Sequence, residues 1–157
     1  MSEESTFEDI NSLPGYYIRH LHQISVAIFL QQTEEFAITP VQFAVLRFVA
    51  ANPDIDQRTV AKAAGLDAST TTGVIDRLEA RDLLKRHAAP KDRRVKHVSA
   101  TPAGRKLLKD MHAAVQRAQR LMLEPLPESE RKEFVRMLNV LVVANNELSR
   151  APKKNKE

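Results

Sequence analysis

At 157 residues the chain has room for one domain, or one domain with an assembly arm. Hydrophobic residues at 43% and charged ones at 28% describe a folded protein rather than a disordered one, and 5% aromatics without Trp make no stacking platform for single-stranded nucleic acid. A net charge of +4 permits a polyanionic partner, while the lack of Cys excludes disulfides, thiolate zinc sites and thiol redox switching. No stretch approaches ~20 uninterrupted apolar residues and no secretory h-region follows Met1, so a cytoplasmic location is expected.

In chain order, residues 1–13 are polar and acidic through Glu3, Glu4, Glu8 and Asp9 and read as a flexible arm. Pro14 opens a periodic run to about Glu35, with Tyr17, Leu21, Ile24 and Ile28 on one face and Val26, Phe29 and Leu30 widening it. A helix that apolar is buried on more than one side. Thr39 and Pro40, an N-cap and a first-turn Pro, start a helix through Phe43, Leu46 and Val49 that Pro53 stops. Asp56 caps a short helix, Gln57 to Ala64, which Gly65 ends in the left-handed conformation.

Asp67 caps the next helix, DASTTTGVIDRLEAR, whose Val74, Ile75 and Leu78 form the buried stripe. Its other face presents Ser69, Thr70, Thr72 and Arg77, short donors and one long cation suited to approaching base edges and phosphates. Helix, tight Gly turn, helix is the helix-turn-helix pattern. Two strand candidates follow, Leu83 to His87 and Lys96 to Ser99. Across the strands and the turn AAPKDRRV between them, Lys85, Arg86, Lys91, Arg93, Arg94 and Lys96 set six cations within twelve residues against Asp92 alone. A lone charge run is a solvated loop; beside a helix-turn-helix, a hairpin with a basic tip is a wing.

Thr101 and Pro102 begin a long helix with a seam at Leu108, Met111, Val115, Ala118 and Met122, broken by Pro125 and Pro127. A last helix carries its seam at Phe134, Leu138, Leu141, Asn145 and Leu148, the single Asn suited to fixing register. Residues 151–157 form a basic tail expected to be disordered.

The order helix-turn-helix, LEARDLLKR, then PKDRRVKHVSATPAGRKLL resembles the MarR family of bacterial transcription regulators. The family's Asp-x-Arg wing signature is matched by Asp92, Arg93 and Arg94. Ser99, Thr101, Pro102 and Gly104 stand where its Leu-Thr-x-x-Gly segment opens the next helix. The match is tight from about Thr39 to Leu108. Asp82 replaces the Gly common before the first wing strand, and Asp tolerates the left-handed turn. Gly73 stands where many members carry a mid-helix cation.

The expected fold is therefore mainly α: a winged helix-turn-helix over residues 39–101, with dimerisation helices at 14–38 and 102–150 and a two-stranded β wing. Surplus apolar faces on the terminal helices need a partner, and the resemblance implies a homodimer on a palindromic double-stranded DNA operator. Ser69, Thr70, Thr72 and Arg77 are the candidates for the major groove; Lys91, Asp92, Arg93 and Arg94 form the wing tip.

Regulators of this type commonly respond to a small aromatic carboxylate, so Tyr16, Tyr17, Arg19, His20 and also His22 on the first helix, Gln42, Phe43 and Arg47 on the second, and His112 are candidate effector contacts. A repressor released by a benzoate, cinnamate or nicotinate derivative is the reading that results; the alternative is an architectural DNA-binding protein without an effector. Nothing points to an enzyme, cofactor or metal. His20 and His22 lie about 200° apart around their helix and cannot chelate together. Neither a Walker loop nor GxGxxG occurs among four Gly, and no base accompanies Ser69 to Thr72.

Overall fold

The computed structural model describes residues 9–89 and 95–148. Among them are seven helices, α1 (Pro14–Gln32), α2 (Pro40–Ala51), α3 (Gln57–Ala64), α4 (Ala68–Ala80), α5 (Pro102–Asp110), α6 (His112–Leu123) and α7 (Glu128–Ala144). Three short strands, β1 (Ile55–Asp56), β2 (Leu84–Ala88) and β3 (Lys96–Ala100), form an antiparallel sheet in the order β1-β3-β2.

Local capping chemistry sets most of the boundaries. Thr39 and Gln42 exchange side-chain and backbone bonds in a capping box at the start of α2. Asp56, Asp67 and Thr101 each accept a backbone N–H three residues on, at the starts of α3, α4 and α5. Gly65, at φ 67°, ends α3, with its own N–H bonded to Lys62 O and that of Leu66 to Ala61 O. Asp82 takes the same role after α4 at φ 55°, with Asp82 N on Glu79 O and Leu83 N on Leu78 O. The Gly-to-Asp departure thus leaves the turn intact.

The core of the winged lobe lies between α2, α3, α4 and the sheet. Val45, Leu46 and Val49 from α2 meet Val60, Ile75, Leu78, Leu84 and Val98, all fully buried or nearly so. Gly104 is fixed by close approach: a Cβ there would fall 2.2 Å from Leu83 O, so α5 can dock against the start of β2 only without a side chain at this point. The arm is formed by α1 packed along α6, with Phe29 and Met111 buried at the junction with the lobe.

Several boundaries differ from the sequence expectation. Asp9 accepts from Asn11 N and builds a 3-10 turn at Ile10–Ser12, inside the stretch read as a flexible arm. α1 ends at Gln32, since Thr33 leaves the helical conformation at φ −114° and ψ 18° while its N–H and hydroxyl still donate to Phe29 O; a second 3-10 turn, Glu34–Phe36, follows. The sheet gains a third strand, since Ile55 and Asp56 pair with Val98 and His97 beside the two-stranded wing.

The long helix after Thr101 bends at Met111, whose ψ of −4° leaves the helical value although the flanking bonds to Leu107 O and from Val115 N persist. Asn145, expected on the seam of the last helix, is the C-cap of α7, its side-chain amide donating to Leu141 O at 2.8 Å. α7 buries none of its residues within the chain, and Val140, Leu141 and Val142 are 49, 52 and 63% exposed. No helix among the described residues is long and apolar enough to cross a membrane.

Candidate nucleic-acid interface and effector cleft

α4 is divided by burial into two faces. Thr71, Val74, Ile75 and Leu78 point into the core, while Ser69, Thr70, Thr72, Asp76 and Arg77 are exposed. Asp67 holds the N-terminal turn from outside, its carboxylate accepting both the N–H and the hydroxyl of Thr70 at 2.8 Å. That backbone bond, helped by the hydroxyl, lowers the Asp67 pKa. Thr70 is therefore spent largely on its own cap. Thr72 is engaged too, donating to Ala68 O at 2.9 Å and accepting from the Gln57 amide at 2.7 Å.

Ser69 and Arg77 make no side-chain bond within the described residues and are the groups left for a ligand. Asp76 and Glu79, potential surface partners of Arg77, are taken by another cation. Gly73 has open space where a Cβ would stand, so nothing in the fold prevents a side chain there.

That other cation is Arg86 on β2. Its guanidinium reaches Asp76 at 2.6 Å, Glu79 at 2.7 Å, Gln57 Oε1 at 3.3 Å and Thr72 O at 3.4 Å, while its backbone N–H donates to Glu79 Oε1 at 2.8 Å. This backbone donor, with the guanidinium beside it, outweighs desolvation and lowers the Glu79 pKa. Counted in the sequence as part of a basic run, Arg86 is instead a structural tie between the wing and both helices of the helix-turn-helix. Sequence spacing gave no signal for it, because its partners lie 7 to 29 residues away. The cations left exposed around the site are Arg58, Lys62, Arg77, Lys85 and Lys96. Lys91, Asp92, Arg93 and Arg94, the expected wing tip, lie outside the described residues.

His87 and His97 face each other across β2 and β3, with ring centroids 5.9 Å apart. Asp54 and Ser99 join them: Ser99 Oγ donates to Asp54 Oδ1 at 2.7 Å, and His87 Nε2 lies 3.0 Å from that carboxylate and 3.2 Å from Ser99 Oγ. The bond from Ser99, with the two imidazoles, lowers the Asp54 pKa against a small burial cost. The composition imitates a nucleophile triad but the geometry does not, since His87 Nε2 faces both oxygens, whereas a triad sets the hydroxyl and the carboxylate on opposite ring nitrogens. No group of three or more potential metal ligands occurs among the described residues.

A second site lies between α2 and α6. A cleft of about 480 Å³ is lined by Phe43, Arg47, His112, Val115, Gln116, Gln119 and Arg120. Phe43 is backed by buried Phe29, ring to ring at 5.6 Å, which fixes one apolar wall. Neither Arg47 nor Arg120 is paired with a described carboxylate, and the Gln116 amide lies 3.1 Å from His112 Nε2.

Of the expected effector contacts, Phe43, Arg47 and His112 are brought together here. Gln42 is not, since its side-chain oxygen accepts from Thr39 N at 3.0 Å in the capping box. Tyr16, Tyr17, Arg19 and His20 form their own cluster at the start of α1, with Tyr16 and His20 rings 4.4 Å apart and Arg19 Nη2 3.2 Å from His20 Nε2; none of them lines this cleft within the single chain. Arg120, Gln116 and Gln119 were not singled out from the sequence, although their three- and four-residue steps from His112 put them on its face of α6.

The model of the MarR family matches residues 38–95, the span that holds α2, α3, α4 and β2. The structure of BpsR from Bordetella bronchiseptica is 32% identical and superposes with a TM-score of 0.81, covering 86% of this chain and 96% of that one. The chain belongs to the MarR family. MarR-family proteins are transcription regulators, not enzymes, and the fold described above is theirs: a winged helix-turn-helix carried on helical arms. A further relative is the transcriptional repressor NicR of Pseudomonas putida, 29% identical over 139 residues, or 88% of each chain. The repressor CouR, solved on a 23-mer DNA duplex, is 28% identical at a TM-score of 0.81 and covers 89% of this chain and 99% of its own.

Proposed function

We propose that this MarR-family regulator is a homodimeric, sequence-specific repressor that releases a palindromic duplex when a small aromatic carboxylate enters the cleft between α2 and α6. The observation that carries the reading is the pair of unpaired guanidiniums, Arg47 and Arg120, set with His112 around the rigid Phe43 wall. One Arg fork suits a carboxylate, and the ring wall suits a flat aromatic body. The relatives support the ligand class: BpsR is described as regulated in DNA binding by 6-hydroxynicotinic acid. Occupancy at this place bears on both α2 of the winged lobe and α6 of the arm.

On the DNA side, Ser69 and Arg77 are the proposed groove contacts, with Thr70 and Thr72 shaping the helix surface. Lys91, Arg93 and Arg94 grip the minor groove or its phosphates, and Asp92 braces the wing. The exposed apolar faces of α1 and α7 take the second copy, which is also the candidate to bring its Tyr16, Tyr17, Arg19 and His20 cluster to the cleft.

Thermal-shift titration with benzoate, cinnamate, nicotinate and 6-hydroxynicotinate tests this. An acid at 100 times its dissociation constant stabilises the protein by about 2.7 kcal/mol per site, and by linkage weakens operator binding. The shift shrinks in Arg47→Ala and Arg120→Ala proteins. A shift undiminished in both, or none with any acid, refutes the cleft assignment.

A further inference from the structure

Three segments meet where α4 ends. Asp82 turns the chain into β2, Thr101 Oγ1 donates to Asp82 O at 2.5 Å as α5 begins, and the joint between α1 and α2 lies alongside. That joint, residues 33–39, is where the arm meets the winged lobe. It holds Ala37 in the left-handed conformation at φ 47°, which an L-residue with a Cβ disfavours, followed by buried Ile38 and the capping Thr39. On one side it borders a recess of about 520 Å³ lined by Leu30, Thr33, Ala37 and Ile38 among others, so packing alone does not fix its position there.

Arg81, the C-cap of α4, reaches across 44 and 45 residues of sequence to this joint. Nη1 donates to Ala37 O at 2.6 Å and Nη2 to Phe36 O at 3.0 Å. A planar fork on two successive carbonyls restrains direction as well as distance, which a Lys point charge cannot do.

We propose that Arg81 is a positioning residue for operator reading: it sets the angle between α4 and the arm, and through it the half-site spacing that the dimer accepts. The proposal rests on α4 being the recognition helix of a two-fold dimer. In such a dimer the two recognition helices must enter major grooves roughly 34–36 Å apart, and a small change of angle at each arm joint moves that separation. Arg81 needs no contact with DNA to do this.

The test uses a duplex selected from a random pool by the wild-type protein, then the same duplex with one base pair inserted or deleted between its half-sites. Wild type should lose about tenfold or more in affinity for the altered spacings. Arg81→Met should bind the selected duplex more weakly but lose less than about threefold between spacings, and Arg81→Lys should fall between the two. Sedimentation and melting confirm that each variant is a folded dimer; should Arg81→Met not fold, Arg81→Lys carries the comparison. A spacing penalty equal to wild type in the variants overturns the proposal, as does an affinity loss that is uniform across spacings. If wild type selects no duplex, or sediments as a monomer, the DNA or dimer reading itself has failed, and that result is distinct from an unchanged spacing penalty.

Discussion

Arg86 and Arg94 belong to the same basic run, yet they should act on DNA in different ways. Arg86 is turned onto Asp76, Glu79, Gln57 and Thr72 O, so it neutralises two acids of α4 and does not release counterions from a phosphate. Its replacement by Met should lower operator affinity by about tenfold, through an α4 that is less well held and more negative, while leaving the slope of log K against log salt unchanged within about 0.5. Arg94, proposed as a phosphate contact, should behave the other way: Arg94→Ala reduces that slope by about 1 to 2 units. Anisotropy titrations across salt separate the two. An Arg86→Met slope that falls as far as the Arg94→Ala slope would place Arg86 on the DNA and contradict the network.

The helix starts make a second contrast, between what is local and what is not. Asp67 caps α4 by accepting from Thr70, so Asp67→Ala should lower stability at neutral pH. The Asp67 pKa is lowered in the fold, so its contribution is complete above about pH 5 and is lost as pH falls through the depressed value. Denaturation of wild type and variant should therefore give stabilities that differ at pH 7 and converge in acid; a gap that stays constant down to the lowest pH would mean the carboxylate charge is not what caps the helix.

Caps of this kind were legible in the sequence because donor and acceptor sit within three residues, and so were the Gly65 turn, the strands of the wing and the buried stripe of α4. β1 was not legible: two residues, Ile55 and Asp56, become a strand only through Val98 and His97. The same distance hid Arg81 and Arg86. The effector cleft was half legible, because Phe43, Arg47 and His112 could be proposed from chemistry, whereas Arg120 needed the placement of α6 beside α2 to show which of its exposed residues line the cleft.

At the scale of the molecule, α7 is the element that a single chain cannot account for. It buries none of its residues, yet Val135, Met137, Val140, Leu141, Val142 and Val143 are apolar and exposed along it, and α1 adds Tyr17, Ile18 and Ile24. A patch of this extent on a folded protein marks an interface, and a second copy is the proposed occupant. Leu141→Glu separates the two possibilities. In a monomer the position is half in water and Glu is a good helix former, so stability should change by no more than about 0.5 kcal/mol. In a dimer the same carboxylate is buried without a partner and the association fails. Sedimentation should then show a folded monomer at micromolar concentration. Because two linked half-site contacts become one, operator affinity should drop by roughly 10² or more and depend on protein concentration. A Leu141→Glu protein that remains a dimer and binds the operator as tightly as wild type would show that α7 faces solvent, and that the arms associate through α1 alone or not at all.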